Sequence, residues 1–165
     1  MAWAITDDII GVTPITQVDT VQRHPEGMIV HAVESVSQGG GEFLYLKGVV
    51  GTVAGSLVSY DQINHTTTLG APAAANSGAP LAVAMGPIVA NSWGWYQTMG
   101  AATVAKDGTG LTGGSTVGLG TVAGTCGANT AGKQLLGARV VNTAAAGAAT
   151  AILSLNRPVA QGAIT

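Results

Sequence analysis

Ser92-Trp93-Gly94-Trp95-Tyr96-Gln97-Thr98-Met99-Gly100-Ala101-Ala102-Thr103-Val104 is the longest run in the chain with strand character, and it holds three of the seven aromatic residues. Successive side chains of a strand point to opposite faces, so Trp93, Trp95, Gln97 and Met99 share one face while Tyr96 and Thr98 take the other. Strand aromatics usually pack inward. Trp93, Trp95 and Tyr96 are therefore the expected structural anchors of a β core.

The segments around this run have the same character. Upstream, Met28-Ile29-Val30-His31-Ala32-Val33 is a β-branched run that ends near Gly39-Gly40-Gly41, three glycines that read as a turn or joint. Glu42-Phe43-Leu44-Tyr45-Leu46-Lys47-Gly48-Val49-Val50 carries apolar residues at odd and even positions, as a strand covered on both faces does. Residues 56–63, 66–69, 81–85 and 88–90 add short strand-like pieces. Two prolines and a glycine deny the alanines of 71–80 a helix, leaving a loop. Downstream, Lys106-Asp107-Gly108 reads as a turn, and strand character returns at 115–119, 121–123, 134–141 and 149–155. Short β segments at near-regular spacing with Gly-rich joints predict an all-β fold, a compact β-barrel or sandwich over residues 26–165. Residues 1–25 read as an extended N-terminal arm, with Ile5, Ile9, Ile10, Val12 and Ile15 as its candidate residues for an interface with other protein.

Composition narrows the function classes. Only 8% of the 165 residues are charged while 47% are hydrophobic, against roughly 25% charged in ordinary proteins. Disorder needs low hydrophobicity with high net charge, so a disordered tail is excluded. A net charge of −2 and a pI near 5.8 supply no basic footprint for phosphates, and no nucleic-acid partner is expected. The lone Cys126 cannot form an internal disulfide. No apolar run approaches the length that spans a bilayer, and the start of the chain lacks a basic n-region, so no membrane partner is expected and synthesis in a reducing host cytoplasm is. The charges cluster early: after Asp61 only Lys106, Asp107, Lys133, Arg139 and Arg157 remain. A water-facing monomer so poor in charge has little colloidal protection. Much of residues 62–165 is therefore expected to meet other protein or to display a neutral surface.

Candidate chemistry is sparse. Gly108-Thr109-Gly110-Leu111-Thr112-Gly113 spells a dinucleotide-binding string, but turn and strand residues follow where a helix start is required, so no cofactor is expected. His24, His31 and His65 lack metal-type spacing with each other or with Asp19 and Glu26, and no metal is expected. No Gly-x-Ser-x-Gly occurs, and acids are nearly absent after Asp61, which argues against a hydrolytic triad. Cys126 has no base or cation beside it in sequence and reads as a small buried residue. The sequon Asn64-His65-Thr66 has no secretion signal to serve. An enzyme is not expected.

The order of several segments resembles the capsid decoration, or head-stabilising, proteins of tailed bacteriophages. The resemblance is carried by 42–49, by Gly55-Ser56-Leu57-Val58-Ser59-Tyr60-Asp61, and by Pro80-Leu81-Ala82-Val83-Ala84-Met85. It continues through residues 90–102, with Trp93-Gly94-Trp95 its most specific piece, and ends with Lys133-Gln134-Leu135-Leu136-Gly137-Ala138-Arg139. It implies a compact β-barrel over about residues 40–158, docked on the outside of an icosahedral shell. The implied partners are the major capsid protein and further copies of the chain, as a homotrimer, and the implied location is the virion surface. Bridging neighbouring capsomers would then add buried area that internal DNA pressure must overcome. A head fibre or adhesin binding a receptor or glycan, through Trp93 and Trp95, is the alternative of a different class. A self-assembling shell or tail-tube subunit is another.

Overall fold

The computed structural model of the chain describes residues 3–34, 36, 39–71 and 78–161. Its strands are β1 (Trp3–Ile5), β2 (Val18–Asp19), β3 (Ile29–Glu34), β4 (Gly39–Lys47), β5 (Leu57–Tyr60), β6 (Thr67–Leu69), β7 (Leu81–Ala84), β8 (Trp93–Ala105), β9 (Thr116–Leu119), β10 (Cys126–Ala128), β11 (Gln134–Val140) and β12 (Thr150–Ala160). All strand pairs are antiparallel, and no helix occurs among the described residues. The fold is all-β, as the pattern predicts. The main path runs β1-β3-β4-β8-β12-β11-β9-β10 and stays open at both ends, so the described strands form no closed barrel. β5, β6 and β7 branch from β8.

β8 organises the molecule. Residues 93–99 pair with β4 and residues 99–105 with β12. The alternation read from sequence is the one observed. Trp95 packs with Phe43, Tyr45, Val30, Ala32 and Ile15 on one side. Tyr96 packs with Leu44, Leu46, Val58, Ala82, Ala84 and Ile88 on the other. β4 is thus covered on both faces, as its apolar run requires. A third cluster, including Val104, Val117, Leu135, Val140 and Leu153, lies under the second half of β8 with β9, β11 and β12.

Where β8 passes from one partner to the other, its register with β4 slips by one residue between Gln97 and Met99, and Gly100 follows with a φ of +100°. The buried Gln97 side chain bridges the bulge, its amide donating to the carbonyls of Met99 (3.1 Å) and Ala101 (3.0 Å). A Cβ on Gly100 would fall onto the Gly40 carbonyl oxygen, and one on Gly41 would lie 2.9 Å from the Gln97 amide. This corrects the reading of Gly39-Gly40-Gly41 as a turn. These glycines belong to β4 and pair with Glu34, Val33 and Ala32, and Gly41 lies too close to β8 for a side chain.

The N-terminal segment is extended but not free. β1 pairs with β3, and β2 pairs with β8. Ile15 is buried in the molecule's own core, with Ile5 and Val12 packed against the same cluster. Of the five candidate interface residues of the arm, Ile9 and Ile10 are those left exposed. Residues 121–123 and 88–90 form turns instead of the expected strands, β12 continues past residue 155, and the three-residue β10 has no counterpart in the sequence reading. Within the expected loop at 71–80, positions 72–77 lie outside the described residues.

Candidate docking surfaces and polar nodes

The aromatic anchors are occupied internally. Trp95 is wholly buried, with its ring 5.0 Å from Tyr45 and 5.4 Å from His24, and its indole N–H donates to the Thr13 carbonyl at 3.2 Å. Tyr96 is also fully buried. Trp93 is half-buried, donates to Glu26 Oε1 at 2.7 Å and carries the Lys47 ammonium over its ring at 5.5 Å. Trp95 therefore presents no open ring face on which a sugar could stack. The Tyr45 hydroxyl donates to the buried Asp19 at 2.8 Å, and burial pushes its pKa up to about 12.

The histidines serve separate local contacts. The Thr13 N–H donates to His24 Nε2 at 3.1 Å, His31 Nδ1 lies 3.3 Å from Asp7, and the His65 ring covers Gly27. No cluster of three or more His, Cys, Asp or Glu side chains suited to a metal occurs among the described residues. The Gly108–Gly113 string, written 108–113 by number, contains no helix start. Thr109 instead donates to Asp107 Oδ1 through its backbone N–H at 2.9 Å and also through its hydroxyl.

That contact belongs to a buried node joining three segments. Asp107 Oδ2 accepts the Thr121 N–H at 2.9 Å, and Lys106 Nζ donates to the carbonyls of Asp107 and Thr109, each at 2.6 Å. The Asp107 N–H donates to the Cys126 carbonyl at 2.9 Å. Both Lys106 and Asp107 are about 6% exposed. Burial alone would push the Asp107 carboxyl up, but the Thr109 and Thr121 hydrogen bonds outweigh it and hold the group below its ordinary value. Burial also pushes the Cys126 thiol up to about 12. Cys126 is expected to resist a thiol reagent under native conditions and to react only as the fold opens. Rapid stoichiometric labelling of the native protein would contradict this.

A second node ties β4 to β12 across β8. Opposite Gly137 of β11, β12 bulges at residues 156–158, and Arg157 takes a φ of +44°. The bulge turns its guanidinium onto Glu42, with Nη2 2.6 Å from Oε2 and Nε 3.2 Å from Oε1, while the Thr98 hydroxyl donates to Oε1 at 2.7 Å. The Arg157 hydrogen bond holds the Glu42 carboxyl below its ordinary 4.5 against the opposing effect of burial. Carboxyls depressed in the folded state contribute stability that is complete above their unfolded values and is lost as pH falls through the folded ones. Glu42 and Asp107 therefore predict a melting temperature nearly level from neutrality to about pH 5 and falling below it. Glu42→Gln is expected to flatten that fall, which a thermal-melt series across pH would read.

The surface of the second half is poorer in charge than the sequence suggests. Of the five charged residues after Asp61, Lys106 and Asp107 are buried and Arg157 is held by Glu42, leaving Lys133 and Arg139. Val122, Leu136 and Val141 are exposed there. Along β11 and β12, Ala138, Val140, Ala151, Leu153 and Leu155 point into the core, while Arg139, Thr150, Ser154 and Asn156 face out. β11 pairs with β9 at Gln134↔Gly118 and Arg139↔Thr116 only. The β11 segment between those points is longer than its β9 counterpart, and a groove of about 350 Å³ lies along it, lined by Leu136 and Arg139 with Thr116 of β9 and with Ser154 and Asn156 of β12. No family model matches the chain, and no curated protein is detectably similar to it.

Proposed function

We propose that the chain is a structural virion protein that docks on the outer surface of an assembled tailed-phage shell. There it bridges neighbouring copies of the major capsid protein and stabilises the head against the pressure of packaged DNA. The observation that carries this reading is the surface of residues 62–161, which keeps two uncommitted charges, Lys133 and Arg139, beside exposed valine and leucine side chains. Depletion of charge marks the cores of protein interfaces, and such a surface suits contact with other protein better than it suits bulk water. A total interface of about 1,600 Å² per attached molecule is enough for stable docking, and symmetry multiplies it over the shell. The resemblance to decoration proteins supports a trimer as the docking unit.

The glycan-binding alternative gains no support from Trp95, whose ring is wholly buried. The test is to mix the protein with undecorated phage shells, image them and heat them. Symmetric added density with a raised rupture temperature is expected. Shells that stay bare across a panel of tailed phages, with unchanged rupture, would remove the reading.

A further inference from the structure

The tip at residues 8–11 projects Ile10, which is wholly exposed, with Ile9 43% exposed beside it and the exposed carboxylate of Asp8 adjoining. The base of this tip is fixed. The Ile9 N–H donates to the Asp7 carbonyl at 2.8 Å, and Asp7 Oδ2 accepts the His31 N–H of β3 at 2.7 Å. A pinned apolar tip next to an anion costs little ordering when it docks.

The groove along β11, flanked by Thr116 of β9 and by Ser154 and Asn156 of β12, has the opposite character. Leu136 is 42% exposed at its wall. The Arg139 guanidinium contacts the Gly114 carbonyl at 3.3 Å, and no carboxylate lies within ion-pair range of it among the described residues. Tip and groove are thus complementary in both respects, isoleucine to leucine and aspartate to arginine. They do not meet within one molecule, where Arg139 contacts Gly114 and no carboxylate. The tip is tied to β3 and the groove lies on β11, four strand positions apart along β3-β4-β8-β12-β11, or about 19 Å at the usual strand spacing.

We infer that copies of this chain join head to tail, with Asp8 and Ile10 of one seated against Arg139 and Leu136 of the next. The inference rests on the reading of the chain as an assembly subunit, though not on the identity of the shell. Each joint leaves one tip and one groove unused, so the contact propagates until a ring closes.

Sedimentation velocity over a concentration series tests it on the full chain. Asp8→Arg and Arg139→Asp, both at exposed positions, are each expected to raise the midpoint concentration for association at least about tenfold, because each sets like charges together. An equimolar mixture of the two single variants associates again, since every joint in an alternating assembly pairs opposite charges. The double variant does the same on its own. Ile10→Asp weakens association without touching the core. A wild-type chain that stays monomeric throughout, or single variants that associate as wild type does, would overturn the head-to-tail joint. Shell binding, scored separately by co-pelleting, distinguishes the two readings. Charge-dependent association with no affinity for any shell upholds the joint and removes the decoration reading.

Discussion

Trp95→Ala is expected to lower the free energy of unfolding by about 3–5 kcal/mol, the usual cost of removing a fully buried large aromatic side chain. That is a large part of the roughly 5–15 kcal/mol that holds a typical domain folded. The loss has a direction. Trp95 covers Ile15 and Tyr45 and holds the Thr13 carbonyl through its indole N–H. Its removal should loosen residues 3–25 before the rest of the sheet opens. Denaturant unfolding gives the total, and limited proteolysis should show new cleavage ahead of β3. Trp95→Phe keeps part of the ring contact and gives up the hydrogen bond, so its cost should be smaller. A loss below about 1 kcal/mol for the alanine variant would mean that the N-terminal segment is held chiefly by its strand pairings.

The second large effect is expected at Asp107. Its carboxylate, on a residue 6% exposed, receives the backbone N–H groups of Thr109 and Thr121. Asp107→Ala leaves both donors without an acceptor, each at a cost of about 1–3 kcal/mol. A total of about 3 kcal/mol or more is expected from calorimetric or denaturant melts. Asp107→Asn, which retains an acceptor, should lose less. Equal losses for the two variants would show that charge, and not hydrogen bonding, is what the node supplies.

The parts of this structure legible in the sequence are those with a short period. Alternation of Trp95 and Tyr96 across β8, and apolar residues on both faces of β4, place each strand between two layers before any partner is known. Partners themselves are a different matter. Nothing local tells Val18 and Asp19 to pair with Gly94 and Trp93, or brings Arg157 to a glutamate 115 residues earlier. Residues 39–41 illustrate a true ambiguity. Glycine is equally suited to a turn and to a strand, and only the pairing with β3 distinguishes them. The isoleucines of the N-terminal segment were legible as apolar but not as inward or outward, because Ile15 and Ile10 differ in what lies beside them and not in their own chemistry. The Asp107 node hides for a related reason. Asp107 and Thr109 look like ordinary turn residues until Thr121 and Cys126 arrive from another segment.

A consequence of β8 concerns mechanical load. This strand alone is laddered to β4 along its first half and to β12 along its second. A pull applied along its length strains many parallel rungs together, in shear, whereas a pull across an outer strand peels rungs one at a time. A molecule gripped at opposite ends of β8 is therefore stiff in that direction and weak at its margins. Any scaffold it reinforces would gain most from contacts aligned with that axis.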